Sequence, residues 1–187
     1  MGRPNRAGWY QGKQWGMILK DGSVVIPFVH QVLERSGDLL ISKQGPLYFL
    51  IKRDGERISS GYSSIFPIEG GFLIGRELHP GVGQGFLDKT GKLIALPRYE
   101  VVTPPNFGII SARCGSVWGW IDRDSGFFRS PEMDLDYVQV LKADLVFGVQ
   151  AKQQRVIGFR PNGVLVFNIP ATDWPEVVGE VLKVPGK

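Results

Sequence analysis

Residues Gly85–Tyr99 read GFLDKTGKLIALPRY, and Trp15–Pro27 read WGMILKDGSVVIP. In each, a short apolar stretch leads into a polar turn closed by glycine, a second apolar stretch follows, and a proline ends it. That is the pattern of a β-hairpin and not of a helix. Aligning the chain on the turn glycine places it at Gly22, Gly55, Gly91, Gly126 and Gly163, at intervals of 33, 36, 35 and 37 residues. A period of this size marks a repeat architecture. The expected fold is therefore all-β, with five hairpin-based units of about 35 residues in an open β-solenoid or a closed, propeller-like array.

The stretches before the turn are WGMILKDG from Trp15, YFLIKRDG from Tyr48, QGFLDKTG from Gln84, WGWIDRDSG from Trp118 and VIGFRPNG from Val156. Asp21-Gly22, Asp54-Gly55 and Asn162-Gly163 are dipeptides that enter positive φ at low cost, as two-residue hairpins demand. Thr90-Gly91 and Asp124-Ser125-Gly126 fit a hairpin with a bulge. The strand after the turn is expected to end at Pro27, Pro97, Pro131 or Pro170, with Ser60 in that place in the second unit, and each proline to mark a strand end or a sheet edge, because proline cannot donate to a ladder. A further apolar run follows: GDLLIS from Gly37, GGFLIG from Gly70, FGIISA from Phe107 and DLVFGV from Asp144. These runs keep the period of the turns and support the repeat independently.

Residues 171–187 break the pattern. Asp173 as N-cap, Pro175 in the first turn, Glu176 and an apolar side of Val177, Val178, Val181 and Leu182 predict a short helix that caps the array, with Trp174 packed on the last unit. The domain plan is then a basic tail over 1–11, one β array over 12–170 and a C-terminal cap. That cap, and units of about 37 residues, short for a propeller blade, favour the open array.

Composition bounds the rest. The 187 residues are 43% hydrophobic and 21% charged, with 25 Gly and 13 Pro, as suits a many-turned β protein. A single cysteine, Cys114, excludes an intrachain disulfide framework and a multi-cysteine metal site, and it fits a reducing cytoplasm. No apolar run of membrane-spanning length is present and the start lacks a secretory core, so neither a membrane nor export is expected. A net charge of +4, spread along the chain except for Arg3, Arg6 and Lys13, is too small to demand a polyanion.

Trp15-Gly16, Trp118-Gly119, the stretch GFLDKTGKLIALPRYEVV and the stretch GYSSIFPIEGGFLIG resemble the WG-repeat family, whose units run WGyIDktGkxVIPpkYdev followed by a GL-type strand. The resemblance covers roughly residues 12–170 and departs where Trp becomes Tyr48, Gln84 and Val156 and where Gly becomes Phe49 and Ile157. It implies an all-β array in bacterial proteins that mediates interactions, and it implies no reaction.

Candidate chemistry is sparse. A residue recurring at one place in every unit fills a core site, so Trp15, Trp118 and Trp120 read as packing residues before they read as a stacking platform for bases or sugars. The segment WGMILKDGSVVIPFVH resembles the paired RNA-binding strands of cold-shock domains, which makes Trp15, Phe28 and His30 the candidate nucleic-acid site. His30 and His79 stand in different units without ligand spacing, and Cys114 needs a histidine to become a nucleophile. In HPGVGQGFLDKTGKL five residues separate Gly85 from Gly91 where a phosphate loop needs four, and Leu93 follows Lys92 where that loop has Ser or Thr. Glu132, Asp134 and Asp136 read as a solvated acidic turn before a cation site.

The expected function is a non-enzymatic protein-interaction module, a bacterial adaptor or an immunity-type inhibitor, with no cofactor, no metal and another protein as partner. The alternative is nucleic-acid or glycan binding through a basic, aromatic surface. Because repeats are stabilised by their neighbours, removing the last unit is expected to lower the stability of what remains. A chain ending at Lys142 that melted cooperatively and without loss of midpoint would contradict that expectation.

Overall fold

The computed structural model describes residues 7–11, 14–75, 83–122, 125–173, 176–178 and 181–183. The chain divides into two compact units, Met1–Arg98 and Tyr99–Lys187. The first holds a sheet of β1 (Ala7–Gln11), β2 (Gln14–Ile18) and β3 (Val24–His30), then one of β4 (Val32–Ser36), β5 (Leu39–Gln44) and β6 (Leu47–Ile51). A third sheet follows, of β7 (Ser64–Ile68), β8 (Gly71–Gly75), β9 (Gln84–Asp88) and β10 (Leu93–Tyr99), the last strand reaching the boundary of the unit. The second unit holds β11 (Val101–Val102), β12 (Ile109–Cys114), β13 (Val117–Asp122) and β14 (Phe128–Arg129), then β15 (Tyr137–Lys142), β16 (Leu145–Gln150), β17 (Arg155–Phe159) and β18 (Leu165–Pro170). Every sheet is an antiparallel meander whose hydrogen-bonded neighbours are consecutive in sequence.

The hairpin predicted around each turn glycine forms in four of these five sheets, and all five turn glycines take positive φ, between +69° and +94°. The apolar runs that follow the hairpins become β5, β8, β12 and β16, each an inner strand of its sheet. A sheet therefore takes its inner run from one sequence repeat and its hairpin from the next, so the period read along the chain is offset from the sheets it builds.

Five equal units are not what the sheets display: the first two have three strands and the next three have four. After Gly55 the chain returns along β6 through isolated bridges only, Ile51 to Arg57 and Tyr48 to Tyr62. The Leu50 N–H there donates to the Ser59 hydroxyl at 2.8 Å in place of a strand carbonyl. Ser59, Ser60 and Gly61 are poor strand formers, which is why the return stays irregular. Residues Ala7–Gln11, read as part of a basic tail, instead pair with β2 from Ala7 opposite Ile18 to Gln11 opposite Gln14. Trp9 and Tyr10 favour a strand more than the nearby basic residues oppose one.

Two further expectations are corrected. Pro27 and Pro97 lie inside β3 and β10 and do not end them. Both strands are sheet edges, the other place expected of such a proline, and there a missing N–H costs no ladder bond. Among the described residues the expected C-terminal helix does not form: a 3-10 turn at Ala171–Asp173 is followed by a two-stranded ladder of β19 (Glu176–Val178) and β20 (Val181–Lys183), with Val178 opposite Val181. Valines at 177, 178 and 181 are β-branched and only two residues separate the strands, so the sequence suits a short ladder better than a helix. The expected contact of Trp174 falls outside the described residues.

Each unit is held by apolar clusters between its sheets. In the first, Met17, Ile26, Leu40, Phe49 and Ile51 form one cluster, and Leu50, Ile65, Phe72, Ile74 and Leu87 anchor another. In the second, Ile109, Trp120, Val138, Val140, Val146, Ile157 and Phe159 pack together. Trp120 is fully buried, its ring 5.6 Å from that of Phe159 and its Nε1–H donating to the Pro161 carbonyl at 2.8 Å. On the other face of the last sheet, Leu145, Phe147 and Val156 are covered in part by Phe167, Ile169 and Ala171.

The glycine of the Trp-Gly pairs has a steric cause. A Cβ at Gly16 would lie 2.6 Å from the Ile26 carbonyl oxygen and 2.9 Å from the Phe28 ring, and one at Gly85 would lie 2.5 Å from the Ala95 oxygen. At Gly119 a Cβ would overlap the Arg129 carbonyl oxygen and approach the Phe128 ring to 2.8 Å. In the fifth hairpin that part falls to Gly158, beneath Phe167, one residue nearer the turn than the Ile157 that aligns with it in sequence. A bulge beside Gly158 and Phe159 absorbs the shift. In the second sheet the pair is exchanged, with Phe49 on the strand before the turn and Gly61 after it, 2.8 Å from a notional Cβ to the ring. Gly119→Ala is expected to cost about 2 kcal/mol or more through overpacking against backbone. Gly22→Ala, strained at φ +87° but facing open space, is expected to cost about 1 kcal/mol. Denaturant titration of both variants measures the difference, and equal losses would contradict the close-approach argument.

Candidate functional site

The three residues named for nucleic-acid binding do not form one stacking face. Trp15 is 39% exposed on β2, with His30 opposite it across the ladder. Phe28 is half-buried and lies over Gly16. His30 is buried at 5% exposure, its Nδ1 2.6 Å from the Ser42 hydroxyl and 3.3 Å from Gln44 Nε2. Arg57 donates to Gln44 Oε1 at 2.8 Å, and its guanidinium lies 3.7 Å from the centre of the Phe49 ring. His30 is thus a satisfied core residue of the first unit. Burial, aided by the Arg57 charge, holds its imidazole below the ordinary histidine range.

Trp118 is half-buried, edge-on to Tyr137 at 5.6 Å, with the Arg113 guanidinium 5.9 Å from its ring. It and Trp120 pack, as their place in the repeat predicts, whereas Trp15, expected to pack in the same way, is exposed on its strand. Cys114 is exposed at the end of β12 in the second unit, and His30 lies in the first. His79 and the basic residues Arg3, Arg6 and Lys13 fall outside the described residues. Lys92 belongs to a hairpin turn in which Asp88 Oδ1 accepts its N–H at 3.0 Å, with no phosphate cradle. The acidic turn is pinned to its own sheet: Asp136 accepts the Ala151 N–H at 2.7 Å, Gln150 donates to the Asp134 carbonyl at 2.9 Å, and Leu135 between them is buried. Among the described residues no group of three or more His, Cys, Asp or Glu is placed to hold a metal ion.

A concavity lies in the second unit, where the edge strand β15 passes β12 and the loop before it. It measures about 160 Å³ and is lined by Thr103, Pro104, Asn106, Ile109, Ser111, Tyr137, Val138, Gln139 and Val140. Val138 and Val140 turn their side chains into the core, while Tyr137 and Gln139 are exposed, as strand alternation requires. Thr103 Oγ1 accepts the Ser111 N–H at 3.1 Å, and the Asn106 side-chain amide donates to the Val140 carbonyl at 2.9 Å. No charged residue lines the cleft.

At the same place the backbone is strained. Asn106 and Ile109 exchange both main-chain hydrogen bonds, at 2.9 and 3.0 Å, around a two-residue turn of Phe107 at φ +50° and Gly108 at φ +79°. Such a turn favours Asn-Gly, and a bulky aromatic in that conformation costs about 1 kcal/mol or more. The Phe107 side chain recovers nothing from the core, because it is 58% exposed. Sequence reasoning took Phe107 only as the start of an apolar run and missed Asn106 and Tyr137. The legible signal was an aromatic where the turn calls for Asn.

No protein-family model matches the chain, and no curated protein matches it. Among solved structures it is similar to BamB from Moraxella catarrhalis, at 16% identity and a TM-score of 0.40 over 95% of this chain and 62% of that one. It is also similar to Hsv2 from Kluyveromyces lactis, at 10% identity and 0.40 over 84% and 57%. A third is apo AztD from Citrobacter koseri, at 9% identity and 0.45 over 97% and 64%. The chain spans about three fifths of the length of these structures.

The His30 cluster generates a pH dependence. The folded state holds the imidazole neutral while the unfolded chain protonates at its ordinary value near 6.5, so the unfolded state binds more protons as the medium is acidified. Stability from this group is complete above about pH 6.5 and declines as pH falls toward the lowered folded value. Thermal melts from pH 7.5 to 5 should show this slope in the wild type and a shallower one in His30→Gln. Identical slopes would contradict the buried-neutral assignment.

Proposed function

We propose that the chain is a non-enzymatic protein-interaction module built from WG-type β-repeats, and that its partner is another protein. One observation carries this reading: large apolar side chains stand exposed on edge strands, where a partner can reach them. Phe66 on β7 is 59% exposed, Leu96 on β10 is 54%, and Leu165 on β18 is 52%. Soluble chains ordinarily blunt such edges with charge or cover them. The neutral cleft beside β15 supports the same reading, since a site for nucleic acid gathers Lys and Arg. Burial of His30 and the covering of Gly16 by Phe28 weigh against the nucleic-acid alternative, and a glycan remains the second chemistry that a neutral, aromatic cleft suits.

An adaptor or an immunity-type inhibitor in a bacterial cytoplasm is the concrete form we favour, on the WG-type repeat and the single exposed thiol of Cys114. Among the described residues no helix is long and apolar enough to cross a membrane. Affinity capture with the full chain from lysate of its source cell, with and without nuclease, tests the reading. A protein retained after nuclease that co-elutes with the chain in fixed ratio on gel filtration is the expected outcome. Retention lost on nuclease treatment would transfer the function to nucleic acid.

A further inference from the structure

We propose that His30 is the trigger of an acid-operated latch: a proton on its imidazole turns the Gln44 amide, frees Arg57 and lets residues 57–61 lift from the Phe49 ring while the rest of the first unit stays folded. The latch lies beyond the protein-interaction reading above and does not depend on it. Arg57 sets the polarity of the chain of contacts, because a guanidinium carries only donors and keeps its charge. It donates to Gln44 Oε1 at 2.8 Å, so the amide nitrogen of Gln44 is what faces His30 Nδ1, at 3.3 Å. Ser42 brings its hydroxyl to the same ring nitrogen at 2.6 Å. Nδ1 is therefore an acceptor, and the proton of the neutral ring sits on Nε2. A second proton, on Nδ1, meets the Gln44 amide donor to donor. The Ser42 hydroxyl can rotate to accept it. Gln44 can accept it only by turning over, which presents its NH2 to Arg57 and breaks that hydrogen bond.

Arg57 is the charge that faces His30, and with burial it holds the imidazole below its ordinary range. The other charged groups nearby are turned away or engaged. β2 carries none, and Lys43 lies over the Tyr48 ring on the face of β5 opposite Ser42 and Gln44, the face that Glu34 of β4 shares. Arg35 donates to the Gly37 carbonyl, Arg53 pairs with Asp38 at 3.1 Å, and Lys52 pairs with Glu56 at 2.5 Å. What Arg57 holds down is the least regular part of the unit. From Arg57 onward the chain is joined to β6 by isolated bridges, by the Ile58 N–H on the Leu50 carbonyl at 2.9 Å and by the Ser59 hydroxyl. A segment with so few ladder bonds opens at lower cost than the sheets beside it. Beneath it Phe49 is only 7% exposed, with the Arg57 guanidinium 3.7 Å from its ring centre and Gly61 against its edge. Release of Arg57 therefore uncovers an aromatic of the core.

Hydrogen exchange of the full chain, followed residue by residue from pH 7.5 to 5 and corrected for the intrinsic exchange rate, reads the latch directly. The N–H groups of Tyr48, Leu50, Ile58 and Tyr62 should lose protection by up to about tenfold per pH unit below about pH 6.5, the ordinary histidine value that the opened state regains. Those of β8 and β9 should keep theirs. A loss shared equally by β8 and β9, or no loss at any of the four groups, would overturn the proposal. His30→Gln should hold the four at constant protection. Gln44→Glu gives Arg57 and the charged imidazole a carboxylate that accepts from both. In that variant the four groups should stay protected to pH 5, and the His30 imidazole, followed by its carbon-13 shift, should titrate at higher pH than in the wild type. Should His30→Gln fail to fold, Gln44→Glu decides alone: a loss of protection on acidification equal to that of the wild type would sink the latch.

Discussion

The close approach of two strands over a glycine is the contact on which this architecture depends. In four of the hairpins a glycine before the turn lies against the carbonyl or the aromatic ring of the strand that returns, with no room for a Cβ. A methyl group there would push the returning edge strand outward and expose the apolar layer beneath it. Because the contact involves backbone oxygen at Gly16, Gly85 and Gly119, no rotamer change in a neighbour can relieve it. The exchange of Phe49 and Gly61 in the second sheet keeps the same volume with the partners reversed. It is accompanied by a return segment too irregular to be a strand. Conservation of total volume governs the contact, and the order of residues along the chain is secondary.

With the hairpins closed in this way, each sheet presents apolar side chains that must be covered. Trp120 satisfies both halves of that demand in the second unit, filling volume against Phe159 and spending its one polar hydrogen on the Pro161 carbonyl. His30 meets the parallel demand in the first unit, where Ser42 and Gln44 replace the water lost on burial. These residues looked chemical in the sequence because Trp and His serve catalysis and stacking elsewhere, and here packing uses them up. The exposed apolar groups lie instead at strand edges and turns, as Phe66 on β7 and the strained turn at Phe107 exemplify.

Much of the fold was legible beforehand because its signals are local. The turn glycines needed positive φ, the dipeptides around them matched hairpins, and the runs that became β5, β8, β12 and β16 stood out by spacing. What failed was reading across elements. The segment from Val177 to Leu182 matched a helical face as well as a strand pair, since over so few residues the two periodicities are not separable. Ala7–Gln11 was obscured by its basic neighbours. The offset between repeat and sheet was invisible because a period has no phase until pairing partners are known. The cleft was illegible for the same reason: Asn106 and Val140 are 34 residues apart, and nothing in either local stretch announces the hydrogen bond between them.

That the chain is all-β, where its hairpins turn and which strand positions are apolar can be read from local sequence, because dihedral preference and side-chain alternation act between near neighbours. Packing between distant segments settled which strands share a sheet, that His30 is core and Trp15 exposed, that Gly158 replaces Ile157 beneath the aromatic ring, and that Asn106 reaches the Val140 carbonyl. Those outcomes depend on which distant surfaces meet and on the volume left between them, and chain order does not encode volume until the sheets are stacked.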